Sequence, residues 1–128
     1  MEDVAKHIVV GVDDDYRVRE SLASLVESAG YISSIFPSAE EFLQSGTLPS
    51  AACVITDVRM PGMDGLELAR RIRSHSPKLP VILISAHYDN DVRQRALDEG
   101  AIDFLYKPFD GVELLDAIHG ALTGPPDS

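Results

Sequence analysis

Apolar positions follow two rhythms along this chain. Five short runs, Ile8-Val9-Val10-Gly11-Val12, Tyr31-Ile32-Ser33-Ser34-Ile35-Phe36, Ala51-Ala52-Cys53-Val54-Ile55-Thr56, Val81-Ile82-Leu83-Ile84 and Ile102-Asp103-Phe104-Leu105-Tyr106, alternate with five segments of helical period. The runs predict strands over about 7–12, 31–36, 52–57, 81–85 and 102–106. They recur every 20–25 residues or so, roughly as βα units require. Three are nearly continuous Val, Ile and Leu, as parallel strands buried on both faces should be. The second is more polar and suits a sheet edge.

Between the runs, Val18, Leu22, Leu25, Val26 and Ala29 form a stripe at helical spacing, closed by Gly30. Ser38 with Glu41, Asp64 with Glu67, and Asp110 with Glu113 each set an N-cap residue three positions before an acid, the pattern of a capping box. Gly46 and Gly100 can end the second and fourth helices. Leu68, Ala69 and Ile72 face the core from the third helix, and Leu114, Leu115, Ile118 and Leu122 from the fifth. The fourth, about 90–99, offers only Val92, Ala96 and Leu97 as anchors, and a helix with so little to bury should open more easily than its neighbours. Right-handed crossovers turn this alternation into an α/β doubly wound sheet. Fold preference gives a flavodoxin-like (βα)5 with five parallel strands in the order 2-1-3-4-5, which sets the first and third strands side by side at the topological switch.

Composition narrows the classes. At 128 residues, 45% apolar and 25% charged, the chain reads as one ordinary globular domain. Residues 1–122 would form it, with the Gly- and Pro-containing stretch 123–128 as a linker-like tail that can lead to a further domain. No run approaches the ~18 apolar residues of a membrane span, and no signal peptide is visible. The single Cys53 lies in a strand, where it packs as a small apolar residue, so the expected compartment is the cytoplasm. A net charge of −10, from 21 acidic and 11 basic residues, disfavours direct binding to a nucleic-acid backbone. Arg70-Arg71-Ile72-Arg73 reads as a solvated helix face, and His7, His75 and His119 have no ligand spacing to one another.

The candidate chemistry lies where the strands end. Functional groups gather at strand carboxyl ends in open α/β sheets. Here those ends carry Asp13-Asp14-Asp15, Asp57, Ser85 and Lys107. Clustered carboxylates without histidine suit a hard cation, and Mg²⁺ takes one or two carboxylates while keeping positions open for phosphate oxygens. Lys107 supplies a movable positive charge and Ser85 a hydroxyl donor. A carboxylate nucleophile forming an acyl phosphate is an established mode of covalent chemistry, and phosphoryl transfer needs mainly in-line positioning and charge neutralisation. Asp57 is therefore read as a phosphate acceptor. Singly the residues are bland: Asp14 or Asp15 as a helix cap, Ser85 as a strand-end hydrogen bonder, Lys107 as a surface charge, Phe104 as core.

Over residues 5–122 the chain resembles a response-regulator receiver domain. The matching words are Val12-Asp13-Asp14, Thr56-Asp57-Val58-Arg59-Met60-Pro61-Gly62-Met63-Asp64-Gly65, Ile84-Ser85-Ala86 and Lys107-Pro108-Phe109, and the wording is most similar to receivers of the FixJ type. The resemblance implies that a sensor histidine kinase phosphorylates Asp57. It implies that Asp14 and Asp57 ligate Mg²⁺ with the backbone carbonyl of Arg59, and that Asp13 acts mainly through water. Ser85 would follow the phosphoryl group, Lys107 would pair with it, and Phe104 would be the switch aromatic that moves inward on activation. A cis Lys107–Pro108 bond is implied, as is an output surface of the fourth helix, fifth strand and fifth helix. Arg59 and His87 would occupy the two variable positions that tune phosphoryl lifetime. A helix-turn-helix effector domain would follow, making a transcription regulator, and phosphorylation could drive homodimer formation.

Three other functions fit parts of the sequence. Asp13-x-Asp15 after an apolar strand has the spacing of a haloacid-dehalogenase-type Mg²⁺ phosphatase with Asp13 as nucleophile, although Tyr16 stands where Thr or Val is usual. A flavodoxin-like flavin or nucleotide binder would need a Gly-rich turn after the first strand, and acids stand there instead. A degenerate docking receiver would lack some phosphorylation residues, yet all are present.

Overall fold

The computed structural model describes residues 7–87 and 89–123. The expectations for residues 1–6 and for the tail from 124 onward lie outside the described residues. In chain order the elements are β1 (Ile8–Val12), α1 (Tyr16–Ser28), β2 (Ile32–Phe36), α2 (Ala39–Gln44), a 3-10 turn (Leu48–Ser50), β3 (Ala51–Asp57), α3 (Gly65–His75), β4 (Val81–Ser85), α4 (Asn90–Asp98), β5 (Asp103–Tyr106) and α5 (Gly111–Thr123). All paired strands run parallel, in the order β2-β1-β3-β4-β5. The more polar second strand does lie at an edge, and β1 and β3 are neighbours, with Val12 opposite Thr56.

The sheet's period of two separates the core into two halves. Val10, Val12, Val54, Val81, Leu83 and Phe104 face Ala39 and Phe42 of α2, Leu68, Ala69 and Ile72 of α3, and Ala96 of α4. Val9, Cys53, Ile55, Ile82, Ile84 and Leu105 face Leu22 and Val26 of α1 and Leu114 and Ile118 of α5. Both faces of the central strands are therefore covered, which is why β1, β3 and β4 read as unbroken apolar runs. Cys53 is fully buried, and desolvation pushes its thiol up to about 12, so it acts as packing.

Helix starts follow the caps foreseen. Ser38 accepts from Glu41 N at 3.1 Å, Asp64 Oδ1 from Glu67 N at 2.8 Å, and Asp110 Oδ1 from Val112 N at 2.8 Å. The Glu67 carboxylate does not complete a reciprocal box, because it turns to Arg70 at 2.6 Å and Arg71 at 3.1 Å. Ala29 is exposed as the C-cap of α1, so the buried stripe ends at Val26. In α4 only Ala96 is fully buried, in line with its sparse anchoring. Its C-terminal end is tied instead by charge: Arg70 and Arg73 of α3 reach Glu99 at 2.7 and 3.4 Å, and Arg73 donates to the Asp98 carbonyl at 3.0 Å.

Candidate functional site

Each strand delivers its terminal residue to one rim because the sheet is parallel. Asp13 follows β1, Asp57 ends β3, Ser85 ends β4, and Lys107 follows β5. The Lys107 amide donates to the Ser85 carbonyl at 2.7 Å, which extends the β4–β5 ladder one step and fixes where the lysine stem begins. The Lys107–Pro108 bond is cis, as the resemblance implied.

The side chains converge. Lys107 Nζ lies 2.9 Å from Asp13 Oδ2 and 3.5 Å from Asp57 Oδ2. One carboxylate oxygen from each of Asp13, Asp14 and Asp57 falls within 4.8 Å of the others. Asp13 is fully buried, Asp57 is 6% exposed, and Asp14 is open to solvent. Burial and the facing Asp13 carboxylate push the Asp57 carboxyl up to about 6, against the downward pull of Lys107. Burial pulls the Lys107 ammonium down, but its contacts with Asp13 and Asp57 outweigh that and leave it above its ordinary value.

Three carboxylates around one ammonium leave excess negative charge in a partly dry pocket. Asp13 Oδ2 is buried, and its partner is the Lys107 ammonium at 2.9 Å, which Asp57 shares. An all-oxygen cluster of three carboxylates, two of which share one ammonium, fits a hard divalent cation. The cluster of Asp13, Asp14 and Asp57 has the donor set and spacing that could hold such an ion.

The third acid of the triplet has a different role. Asp15 is exposed and caps α1 by accepting from Arg17 N at 2.9 Å, while its own amide donates to Asp13 Oδ1 at 2.8 Å. Asp15 is thus committed to the helix end.

Ser85 is buried at the end of β4, and its hydroxyl accepts from His87 N at 3.1 Å in a local turn. Its own proton has only a long contact, to the His87 carbonyl at 3.5 Å, which a better acceptor could replace. Phe104 already lies inside, 5% exposed, with Tyr106 edge-on at 5.3 Å between ring centres. The side chains of Arg59 and His87 are exposed.

Residues that sequence reasoning did not single out hold the loops in place. Arg19 Nη1 donates to the Asp13 carbonyl at 2.8 Å, tying the acidic loop to α1. Gly65 begins α3 directly against the acceptor: its amide bonds Val58 O at 2.8 Å, and a Cβ there would overlap the Asp57 carbonyl oxygen. Glu40 of α2 accepts from Met63 N at 2.8 Å across the loop after β3. Only Gly65 had a signal in the sequence, as a glycine at a helix start. The other two bonds depend on how loops and helices meet in space.

Comparison with known proteins agrees with this geometry. The model of the response regulator receiver domain matches residues 9–119. Among curated relatives, the transcriptional regulatory protein FixJ of Bradyrhizobium diazoefficiens is 40% identical over 116 residues, covering 91% of this chain and 56% of that protein. The response regulator protein TodT of Pseudomonas putida is 43% identical over 122 residues, 95% of this chain and 53% of that protein. The chain thus spans about half the length of the curated relatives it matches. A crystal structure of FixJ-N superposes with a TM-score of 0.83 at 35% identity, covering 98% of each chain. A receiver-domain structure from Clostridium thermocellum gives 0.85 at 30% identity, over 91% of this chain and 94% of that one. The phosphatase reading finds no support in these matches. With matching sequence, topology and rim, this chain belongs to the response-regulator receiver domain family.

Proposed function

We propose that this domain is a phosphorylation-activated switch of two-component signalling, with Asp57 as the acceptor of a phosphoryl group from a sensor histidine kinase. The observation that carries the reading is the Asp57 carboxylate at the rim, on a side chain 9% exposed and 3.5 Å from the Lys107 ammonium. In the reaction one Asp57 oxygen attacks phosphorus in line, the O–P bond forms, and the P–N bond to the kinase imidazole breaks with its electron pair returning to nitrogen. Lys107 holds positive charge against the phosphoryl oxygens, which lowers repulsion on approach. Ser85 donates its hydroxyl to one of them.

Asp14, Asp57 and the Arg59 backbone carbonyl would hold Mg²⁺, with Asp13 contributing through water. A cation bound there supplies neutralisation of charge on the acids and on the incoming phosphoryl oxygens. The domain is a regulatory phosphoacceptor that assists its own phosphorylation and dephosphorylation, and acts on no separate substrate.

Phosphorylation shifts the population toward the state in which Ser85 and Lys107 grip the phosphoryl group, because those bonds exist in that state alone. Phe104 and the sparsely anchored α4 transmit the change to a surface made of α4, β5 and α5. The receiver would serve a cytoplasmic transcription regulator that carries a helix-turn-helix effector domain and dimerises on phosphorylation. FixJ, a transcriptional regulatory protein by name of which the match covers 56%, supports that parentage.

A small acyl-phosphate donor with Mg²⁺, followed by intact-mass measurement, tests the reading. Wild type and Asp13→Asn should gain one phosphoryl group, and Asp57→Asn none. An adduct that survives in Asp57→Asn and disappears in Asp13→Asn would return the case to the phosphatase.

A further inference from the structure

The loop from Val58 to Asp64 carries Arg59, whose carbonyl is the ligand assigned above, and the loop is thinly supported. Arg59, Pro61 and Gly62 are exposed. At its start Val58 N donates to Ile84 O at 3.0 Å, the Met60 side chain is 9% exposed in the core, and at its end Gly65 N returns to Val58 O at 2.8 Å. Apart from Asp64, which caps α3, the one hydrogen bond from residues 61–64 to another element, among the described residues, is Met63 N to Glu40 Oε2, at 2.8 Å across 23 residues of sequence.

Two further features show that the fit is built. Gly62 has a φ of 78°, and a Cβ there would sit 2.5 Å from Glu40 Oε2, so the bare glycine is what lets the carboxylate lie over the turn. On the other side, α2 is a firm base, because Ala39 and Phe42 flanking Glu40 are fully buried. The Met63 amide, with help from the Glu40 backbone amide, also holds the Glu40 carboxyl below its usual value, so it is charged at neutral pH.

We propose that Glu40 is a positioning residue for the metal and phosphoryl site: by holding the Met63 amide it fixes the path of the loop after Asp57, and with it the Arg59 carbonyl. The inference rests on the metal reading of the previous section and adds a specific support from α2. Outer-shell partners bonded directly to a ligand change metal affinity by roughly 10–100-fold when removed, and Glu40, which acts through the loop, should fall at the low end of that range.

The test compares wild type, Glu40→Ala and Glu40→Gln by amide-resolved NMR, first without metal and then along a Mg²⁺ titration, with thermal midpoints measured in parallel. In metal-free protein, Glu40→Ala should speed hydrogen exchange at the Met63 amide. It should also weaken Mg²⁺ binding roughly tenfold, while the thermal midpoint stays near wild type. Glu40→Gln keeps an acceptor oxygen for Met63 without the charge and should bind Mg²⁺ close to wild type. Unchanged affinity in Glu40→Ala overturns the inference, and equal weakening in both variants overturns it too, because charge rather than the bond would then be responsible. A wild type that gives no Mg²⁺ response at all removes the metal reading itself, and this inference with it.

Discussion

At the residue scale, Asp57 is held in a state it does not prefer. Its carboxyl titrates at about 6 in the fold against an ordinary 3.8, because it is buried beside Asp13. A raised carboxyl value contributes stability below the unfolded value and loses it as pH rises through the folded one. In metal-free buffer, Asp57→Asn should therefore be more stable than wild type near neutral pH, on the order of 2–3 kcal/mol from the size of the shift. The gap should close as pH falls through 6 toward 3.8. Denaturant melts across that range check the sign, and a gap that widened toward acid would contradict it. Gly65 gives a second test. Because a Cβ would overlap the Asp57 carbonyl, Gly65→Ala must move either α3 or the acceptor strand. Overpacking of this kind costs roughly 1–3 kcal/mol, and the variant should lose phosphoryl uptake along with stability in paired melts and mass measurements.

At the element scale, the strands were readable because burial on both faces leaves an unbroken apolar run. Val81–Ser85, buried at every position, is the clearest case. The turn Leu48–Ser50 was not readable, since three residues show no period. Side-chain commitments were harder still. Asp64 and Glu67 spell a capping box, but Glu67 is claimed by Arg70 and Arg71 one turn on, and propensity alone cannot rank those partners. α4 is where the sequence reading bears on function. With Ala96 as its only fully buried residue and its C-terminal end tied by exposed ion pairs, this helix has little holding it to the sheet. Such pairs are worth ~1 kcal/mol or less. Amides of α4 should exchange faster than those of α3 in native-state hydrogen exchange, and phosphorylation should alter α4 protection more than α3 protection. Equal protection of the two helices, unchanged by phosphorylation, would remove α4 from the switch.

At the scale of the whole molecule, four separate pieces of sequence meet at one rim because parallel strands all end on the same side. The acids, Asp57, Ser85 and Lys107 were legible as strand-end residues, and their convergence followed once β1 and β3 were placed together. What remained hidden were the bonds that hold the loops: Arg19 to the Asp13 carbonyl and Glu40 to the Met63 amide. Neither spacing is a helical or strand repeat, so no periodicity announces it. The acceptor assignment is tested most directly by locating the phosphoryl group. Protein treated with an acyl-phosphate donor and Mg²⁺ is reduced with borohydride, which converts an aspartyl phosphate to homoserine, and the peptides are then sequenced by mass. Conversion at position 57 alone is the expected result; conversion at position 13 or 14, or at none under conditions that phosphorylate other receivers, would contradict the account.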